Sequence, residues 1–399
     1  MDFTEIFTPS RPPIHMNFLV GRNKELDDLK YYLKSSGTHP IIVGARGIGK
    51  TSLVQAISEF YPNFIQIEAN TVENFDELSR CICDDLGIDI NLIKTTNEEM
   101  LEGSVGTDVK IFKGDIKTGE KTSEERMGFS NQPVSPQKLK RLLQKINKSA
   151  IISIDELDDV PLNSDLKIRL AKFTKSISNQ SKWFDHHLIL SGIGKDAHSL
   201  FGNHLSINRN LPVIYLKRLT KNDFLHFLTE AEKYLKIFIP NSIKNEMASD
   251  ADGFPYYIHQ VGYFMFREYF KEKNGNSITE HHYKNGQNKA FEAAFSYYLN
   301  KYKFTIYTLT KLELEILRQV ILSRGTYINK QVLLTKIQYQ REEDTEKIKE
   351  TVNGLIKPKG YLNFRKSDEN ISLAEPLLKP FLKIKLKIKE NDRQQLTIF

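Results

Sequence analysis

Residues 44–51 read Gly44-Ala45-Arg46-Gly47-Ile48-Gly49-Lys50-Thr51. A short β-branched segment, Pro40-Ile41-Ile42-Val43, precedes them, and a helical pattern, Ser52-Leu53-Val54-Gln55-Ala56-Ile57, follows. Strand, glycine-rich turn and helix in that order constrain the fold more than any other stretch. The pattern is G-x-x-x-x-G-K-[ST], a phosphate-binding loop in the context it needs. Gly44, Gly47 and Gly49 let the backbone curl so that its N–H groups face a polyphosphate. The helix start, running on through Ser52, adds free N–H donors and partial positive charge. Lys50 is placed to reach the β/γ-phosphates, and the Thr51 hydroxyl to hold Mg²⁺. The ligands expected are therefore ATP and Mg²⁺.

The chain has 399 residues, enough for two or three domains. Its apolar content of 40% and charged content of 27% are those of a globular protein. No apolar run approaches the roughly 18 residues that span a bilayer, so no membrane partner is expected. The start, Met1-Asp2-Phe3-Thr4-Glu5, is acidic and lacks the apolar core of a signal peptide. Cys81 and Cys83 are the only cysteines, two positions apart on an expected helix. They read as reduced thiols in a cytoplasmic protein. A net charge of +7 permits contact with nucleic acid without requiring it.

Residues 1–219 alternate strand and helix, with strands expected at 39–43, 63–68, 150–155, 187–193 and 212–217. Helices are expected near 23–35, 51–60, 73–86, 136–147, 164–179 and 195–201. That alternation predicts an α/β domain with a parallel sheet covered on both faces. Residues 220–303 read as helical throughout. Residues 304–390 hold short helices and then a strand pair. Residues 103–131 break the alternation: Val109-Lys110-Ile111-Phe112 and Asp115-Ile116-Lys117 flank Lys113-Gly114, which suggests a hairpin within an insertion.

A phosphate loop alone only binds. Hydrolysis also needs a carboxylate for magnesium and a group that positions water. Ile151-Ile152-Ser153-Ile154-Asp155-Glu156 supplies an apolar strand ending in Asp-Glu. Asp155 is placed to anchor Mg²⁺ at the carboxyl end of its strand, and Glu156 to polarise the attacking water. Ser191 ends the next strand, where it either meets the γ-phosphate or its water, or is simply a small residue at a strand end. Arg209 precedes the last strand and reads either as an arginine for the γ-phosphate, of its own site or a neighbouring subunit's in a homo-oligomer, or as a surface residue.

With these residues in view, the chain resembles an AAA+/STAND-type P-loop ATPase, closest to the archaeal-ATPase and origin-recognition-type initiator group. Phe18-Leu19-Val20-Gly21-Arg22-Asn23-Lys24-Glu25-Leu26 resembles the family's "F-V-G-R-x-x-E-L" segment, which packs beside the adenine. That resemblance implies nucleotide contacts for Val20 and Arg22. Gly253-Phe254-Pro255 resembles the "G-x-P" of a helical lid and implies that Pro255 sits near the base. The C-terminal region resembles the family's winged helix. Two departures stand out. Ser191 occupies the position where Asn or Thr is common. No clear lid arginine follows Gly253, where His259 is the substitute.

In the C-terminal region, helices are expected at 309–322, 329–337 and 343–356, then a hairpin from Gly360-Tyr361-Leu362-Asn363-Phe364-Arg365 and Ile371-Ser372-Leu373. The third helix is too acidic for deep insertion in a DNA groove, so Arg365 and Lys366 on the wing are the better phosphate contacts. The module reads equally as a protein-binding element. Lys383-Ile384-Lys385-Leu386-Lys387-Ile388-Lys389 alternates strictly and predicts a strand with one lysine face, either an edge protected from aggregation or a phosphate strip. The tail, residues 391–399, ends in Gln395-Leu396-Thr397-Ile398-Phe399, which resembles the "Q-L-x-L-F" peptide that docks on bacterial sliding clamps. The function expected is an ATP-hydrolysing switch or remodeller working with DNA or the replication machinery. The alternatives are a STAND-type signalling NTPase with a separate effector protein, as in defence against phage, and an adaptor that barely hydrolyses ATP.

Overall fold

The structure is a computed structural model. It describes residues 2–11, 18–88, 90, 133–145, 149–178, 186–194, 197–201, 210–272, 275–302, 309–323, 327–341 and 343–386. The expected insertion at 103–131, Arg209, Lys387, Lys389 and the tail peptide lie outside the described residues.

Five strands form the main sheet: β1 (Ile41–Val43), β2 (Phe64–Glu68), β3 (Ile151–Asp155), β4 (His187–Gly192) and β5 (Val213–Tyr215). Their order is β2-β3-β4-β1-β5, and every pairing is parallel. The helices between them are α1 (Asn23–Leu33), α2 (Lys50–Ser58), α3 (Phe75–Asp85), α4 (Pro136–Gln144), α5 (Asp165–Ser178) and α6 (Ala197–Phe201). The three central strands β1, β3 and β4 are buried on both faces, as a parallel sheet covered by helices requires, while the edge strands β2 and β5 keep exposed residues. Ile42, Ile151, Ile189 and Ile214 join a core with α1 and α2. Their neighbours Ile41, Ile152, Ile154, Leu188 and Leu190 join a second core with α3, α4 and α5. The expected α/β organisation of this part, strand for strand, is what the structure has.

Four helices follow: α7 (Lys221–Leu235), α8 (Asn241–Asp250), α9 (Pro255–Glu272) and α10 (Glu280–Tyr302). A capping box fixes the start of α7, with the Thr220 hydroxyl accepting the Asp223 N–H and Asp223 accepting the Thr220 N–H. The last part contains α11 (Lys311–Leu322), β6 (Ile328–Asn329), α12 (Lys330–Arg341), α13 (Thr345–Ile356), β7 (Leu362–Arg365), β8 (Asn370–Leu373) and α14 (Lys379–Lys385). Strands β6, β8 and β7 form a small antiparallel sheet. The three helices and the hairpin match expectation; β6, two residues long, adds a third strand that the pattern did not reveal.

The lysine-alternating strand is a correction. Lys379–Lys385 form a helix, and Lys383 is buried in it. The alternation from Lys383 onward hides an earlier helical period: Leu378, Phe381 and Leu382 lie on one apolar face. Phe381 packs against Tyr256 and Tyr257 of α9, with ring centroids 6.1 and 5.3 Å apart. Lys379 and Lys383 both approach the Asp252 carboxylate, at 3.5 and 3.7 Å, which also binds Arg218 at 2.5 Å. Tertiary packing overrides the local β pattern here. Lys383 is therefore an interior ion-pair partner and is not available as a phosphate contact.

His39, at the entrance to β1, is fully buried, and its Nδ1 accepts the Leu188 N–H at 3.1 Å. Burial, reinforced by nearby His187, lowers its pKa from 6.5 to about 3. The folded chain thus keeps His39 neutral where the unfolded chain protonates it. The stability gained by that neutral burial is complete above pH 6.5 and is lost as pH falls from there toward 3. From pH 7 to pH 5, His39 should cost about 2 kcal/mol of unfolding free energy. Urea titrations at the two values check this, and His39→Gln should shrink the difference by that amount, leaving the like contribution of His259, whose pKa burial lowers to about 4.

Candidate nucleotide site

The phosphate loop joins β1 to α2 at the carboxyl edge of the sheet, where ligands of open α/β sheets bind. Gly47 and Gly49 have φ of 70° and 100°, a left-handed backbone that side chains resist. Gly49 is the N-cap of α2, so its helix begins at Lys50. The Lys50 ammonium donates to the carbonyls of Gly44 (3.2 Å) and Ala45 (3.3 Å), folding the loop around itself. Its burial lowers its pKa, and the carboxylates of Asp155 and Asp158 oppose that shift. Ile48 points inward and is buried, while its carbonyl accepts from Arg22 at 2.9 Å.

Strand β3 delivers the acidic side. The Thr51 hydroxyl donates to Asp155 Oδ2 at 2.8 Å, and the Glu156 N–H to Asp155 Oδ1 at 2.8 Å. β4 lies between β3 and β1, and its pairing Ile154↔Leu190 sets Ser191 level with Asp155. The buried Ser191 hydroxyl accordingly donates to Asp155 Oδ1 at 2.5 Å. Thr51 and Asp155 are hard oxygen donors already facing one another, which suits Mg²⁺, a cation that takes few protein ligands beside phosphate and water. Glu156 has φ of 55°, a left-handed conformation costly for a non-glycine residue. The Asn70 side-chain amide holds its carboxylate. Desolvation, then the neighbouring Glu68, Asp159 and Asp155, raise the Glu156 pKa, and Arg46 opposes them.

These residues enclose a cavity of about 390 Å³, lined by Arg46, Gly47, Gly49, Lys50, Thr51 and Ser52 on the loop side and Glu68, Asp155, Glu156 and Asp158 on the acidic side. Pro255, Tyr256 and His259 line it from α9. A smaller apolar recess of about 30 Å³ adjoins it and shares Gly49, Ser52, Pro255 and His259. Phe18, Val20, Leu219, Phe224 and Phe227 are among its walls. Val20, Arg22 and Pro255 therefore do meet at one recess. Arg22, however, is buried with its guanidinium on the Ile48 and Lys217 carbonyls, so it braces the loop.

No protein-family model matches the chain, and no curated protein matches it in sequence. Solved structures do match in shape. A Walker-type ATPase of Pyrococcus abyssi superposes with a TM-score of 0.54 at 15% identity, covering 95% of this chain and 99% of that one. The ORC2 protein of Aeropyrum pernix superposes with 0.53 in its ADP form and 0.52 in its ADPNP–ADP complexes. Both are 14% identical and cover 99% of this chain, with 99% and 98% of theirs covered in turn. The chain has the fold of an archaeal Walker-type P-loop ATPase.

Within that P-loop ATPase fold, the expected Arg46, Gly47, Gly49, Lys50, Thr51, Ser52, Asp155, Glu156 and Pro255 line one cavity, while Gly44, Ala45 and Ile48 of the loop do not. Ser191 sits behind Asp155 and does not line it. His259 does, but its Nδ1 accepts the Thr8 N–H at 3.1 Å, and burial lowers its pKa to about 4. It brings no positive charge at neutral pH. Sequence reasoning missed Thr8, Pro9, Ser10 and Arg11, which line the cavity from the N-terminal segment. It also missed Leu377, whose methyl would lie 2.8 Å from a Cβ placed on Gly47. Neither contact has a local signal beyond isolated apolar residues. Ser191→Ala removes a charge-assisted hydrogen bond from a buried carboxylate. It should lower the unfolding free energy by about 2 kcal/mol, measured by chemical denaturation.

Proposed function

We propose that this chain binds ATP with Mg²⁺ and hydrolyses it, acting as a nucleotide-dependent switch. The observation that carries the reading is the meeting of Thr51, Asp155 and Glu156 with Lys50 in one cavity beside an apolar recess. The polar cavity suits a polyphosphate, and the apolar recess beside it, about 30 Å³ as it stands, would widen to take the edge of a base. Backbone N–H groups at the start of α2 and the Lys50 ammonium bind the phosphates once Lys50 leaves the Gly44 and Ala45 carbonyls. Thr51 and Asp155 hold the metal, which when bound neutralises charge on the phosphates. Ser191 keeps the Asp155 carboxylate aimed. Glu156 accepts the proton of the attacking water, and desolvation with the neighbouring carboxylates raises its pKa, which makes it a stronger base.

The output of the switch runs through the C-terminal part, read as a winged helix. Leu377 touches the phosphate loop, and the Asp252 ion pairs tie α14 to the start of α9. DNA is the partner first in view, through the wing, where Lys366 is exposed. Three of the module's other cations are paired within it: Arg365 with Asp368, Lys347 with Glu343 and Lys349 with Glu346. That internal pairing supports a second reading, a signalling NTPase whose C-terminal module meets a protein effector.

Purified protein decides between these readings. Lys50→Ala should abolish ATP binding in calorimetry. Glu156→Gln should keep binding and slow steady-state hydrolysis about 100-fold or more. Wild-type turnover in Glu156→Gln removes the catalytic assignment. Stimulation of hydrolysis by duplex DNA, lost in Lys366→Gln, supports the DNA reading, and indifference to DNA at low salt supports the signalling one.

A further inference from the structure

The nucleotide cavity has a wall that belongs to no motif. Thr8, Pro9, Ser10 and Arg11 line it together with Arg46, Lys50 and Glu156. Local propensity does not place this segment there; an aromatic latch does. Phe3 stacks on Phe270 and Phe266 of α9, with ring centroids 5.4 and 6.2 Å apart. Phe7 is fully buried, stacked on Phe266 at 5.1 Å and edge-on to Phe227 of α7 at 5.6 Å. Gly262 makes the seat: a Cβ there would lie 2.1 Å from the Phe7 ring. Polar contacts fix the register. The Tyr234 hydroxyl donates to Glu5 at 2.8 Å, and the Thr8 N–H donates to His259 at 3.1 Å. The chain therefore leaves the lid helices at a set point and carries Arg11 to the cavity.

The charges around the cavity show what Arg11 is for. Four carboxylates line it: Glu68, Asp155, Glu156 and Asp158. Its lining cations are Arg11, Arg46 and Lys50. Lys50 and Arg46 belong to the phosphate loop, and Arg46 reaches Asp159 at 3.5 Å. From α9 come only Pro255, Tyr256 and the neutral ring of His259. A phosphoryl group in transfer spreads charge over its equatorial oxygens, and a guanidinium fork matches that array better than any other side chain. Arg11 is exposed, and its hydrogen bond to the Thr4 carbonyl is long, at 3.3 Å, a contact easily exchanged for a phosphate.

We propose that Arg11 contacts the γ-phosphate of ATP bound to its own chain, supplying from the N-terminal segment the cation that α9 lacks. This rests on the ATP reading above. Because the segment is latched to α7 and α9, the contact also ties the lid helices to the presence of a γ-phosphate. ADP, lacking that group, leaves Arg11 without its partner.

The test uses the full chain with Arg11→Ala, Arg11→Lys and Lys50→Ala, and measures ATP affinity, ADP affinity and steady-state hydrolysis. Arg11→Ala should lose about tenfold or more in ATP affinity or in hydrolysis, with ADP affinity within about twofold of wild type. Arg11→Lys should recover part of the loss. Arg11 is exposed, so melting curves should match wild type and exclude unfolding as the cause. An unchanged ATP-to-ADP preference together with an unchanged rate in Arg11→Ala overturns the proposal. So does restored hydrolysis on mixing Arg11→Ala with Lys50→Ala, which would mean that arginine acts between chains. If Lys50→Ala still binds ATP, the phosphate-loop reading falls and this proposal with it. If Lys50→Ala loses ATP while Arg11→Ala behaves as wild type, only the role of Arg11 falls.

Discussion

Asp155 accepts hydrogen bonds from the Thr51 hydroxyl, the Ser191 hydroxyl and the Glu156 N–H, and the rest of the site is positioned by that carboxylate. Each donor comes from a different place: the first turn of α2, the end of β4 and the turn after β3. A buried carboxylate held by several donors fixes their relative positions far more tightly than apolar packing would. The loop is stiff because α2 is tied to β3 at one end and Lys50 is folded onto Gly44 and Ala45 at the other. Glu156 adopts a left-handed turn at the same place, with its N–H donating to the Asp155 carboxylate. Geometry that is costly in isolation is sustained by the sheet around it.

A second carboxylate plays the same part for the outer helices. Asp252 gathers Arg218, Lys379 and Lys383, joining the strand-to-lid connection, the lid and α14. Arg218 also lies over the Phe254 ring, 4.7 Å from its centroid. Three cations at one largely buried carboxylate are sensitive to any shift of α14 against α9, because each ion would be left poorly compensated. The C-terminal part is thereby registered to the lid at the step just before Pro255, which lines the nucleotide cavity.

The sequence was legible where chemistry or periodicity is contiguous. The phosphate loop, Asp155 and Glu156 are read directly, because binding a polyphosphate and a cation demands those residue types in fixed local order. The parallel strands are legible from short segments rich in Ile, Leu and Val, and α11 to α13 from their apolar spacing. What stayed hidden was set by partners distant in sequence. Lys383 looked like one tooth of a surface lysine strip; only Asp252 makes it an interior residue. Phe3 and Phe7 looked like a nondescript start, and only the gap at Gly262 gives them a seat. Ser191 was placed at the right strand end, but its direction followed from the β3–β4 register, which no single-strand pattern encodes.

Six separated stretches therefore line one cavity: the N-terminal segment, the phosphate loop, the end of β2, the turn after β3, the residue after β4 and the start of α9, with Leu377 from the C-terminal part against the loop itself. A ligand shifts a conformational equilibrium only through contacts that differ between the two conformations. Here the groups free to make such contacts are not on the rigid sheet. They are Arg11, on a latched segment, and Lys50, whose present acceptors are weak neutral carbonyls. On the proposed ATP reading, both would exchange a backbone oxygen for a phosphate oxygen. The sheet supplies the fixed reference, Asp155, and on the proposed reading the two cations differ in which phosphate they would reach. On that reading Lys50, in the glycine loop, would meet the inner phosphates and so respond to nucleotide of either kind. Arg11 enters from the lid side, so any contact it makes is felt by α7 and α9 through Phe7 and Thr8 before it is felt by the sheet.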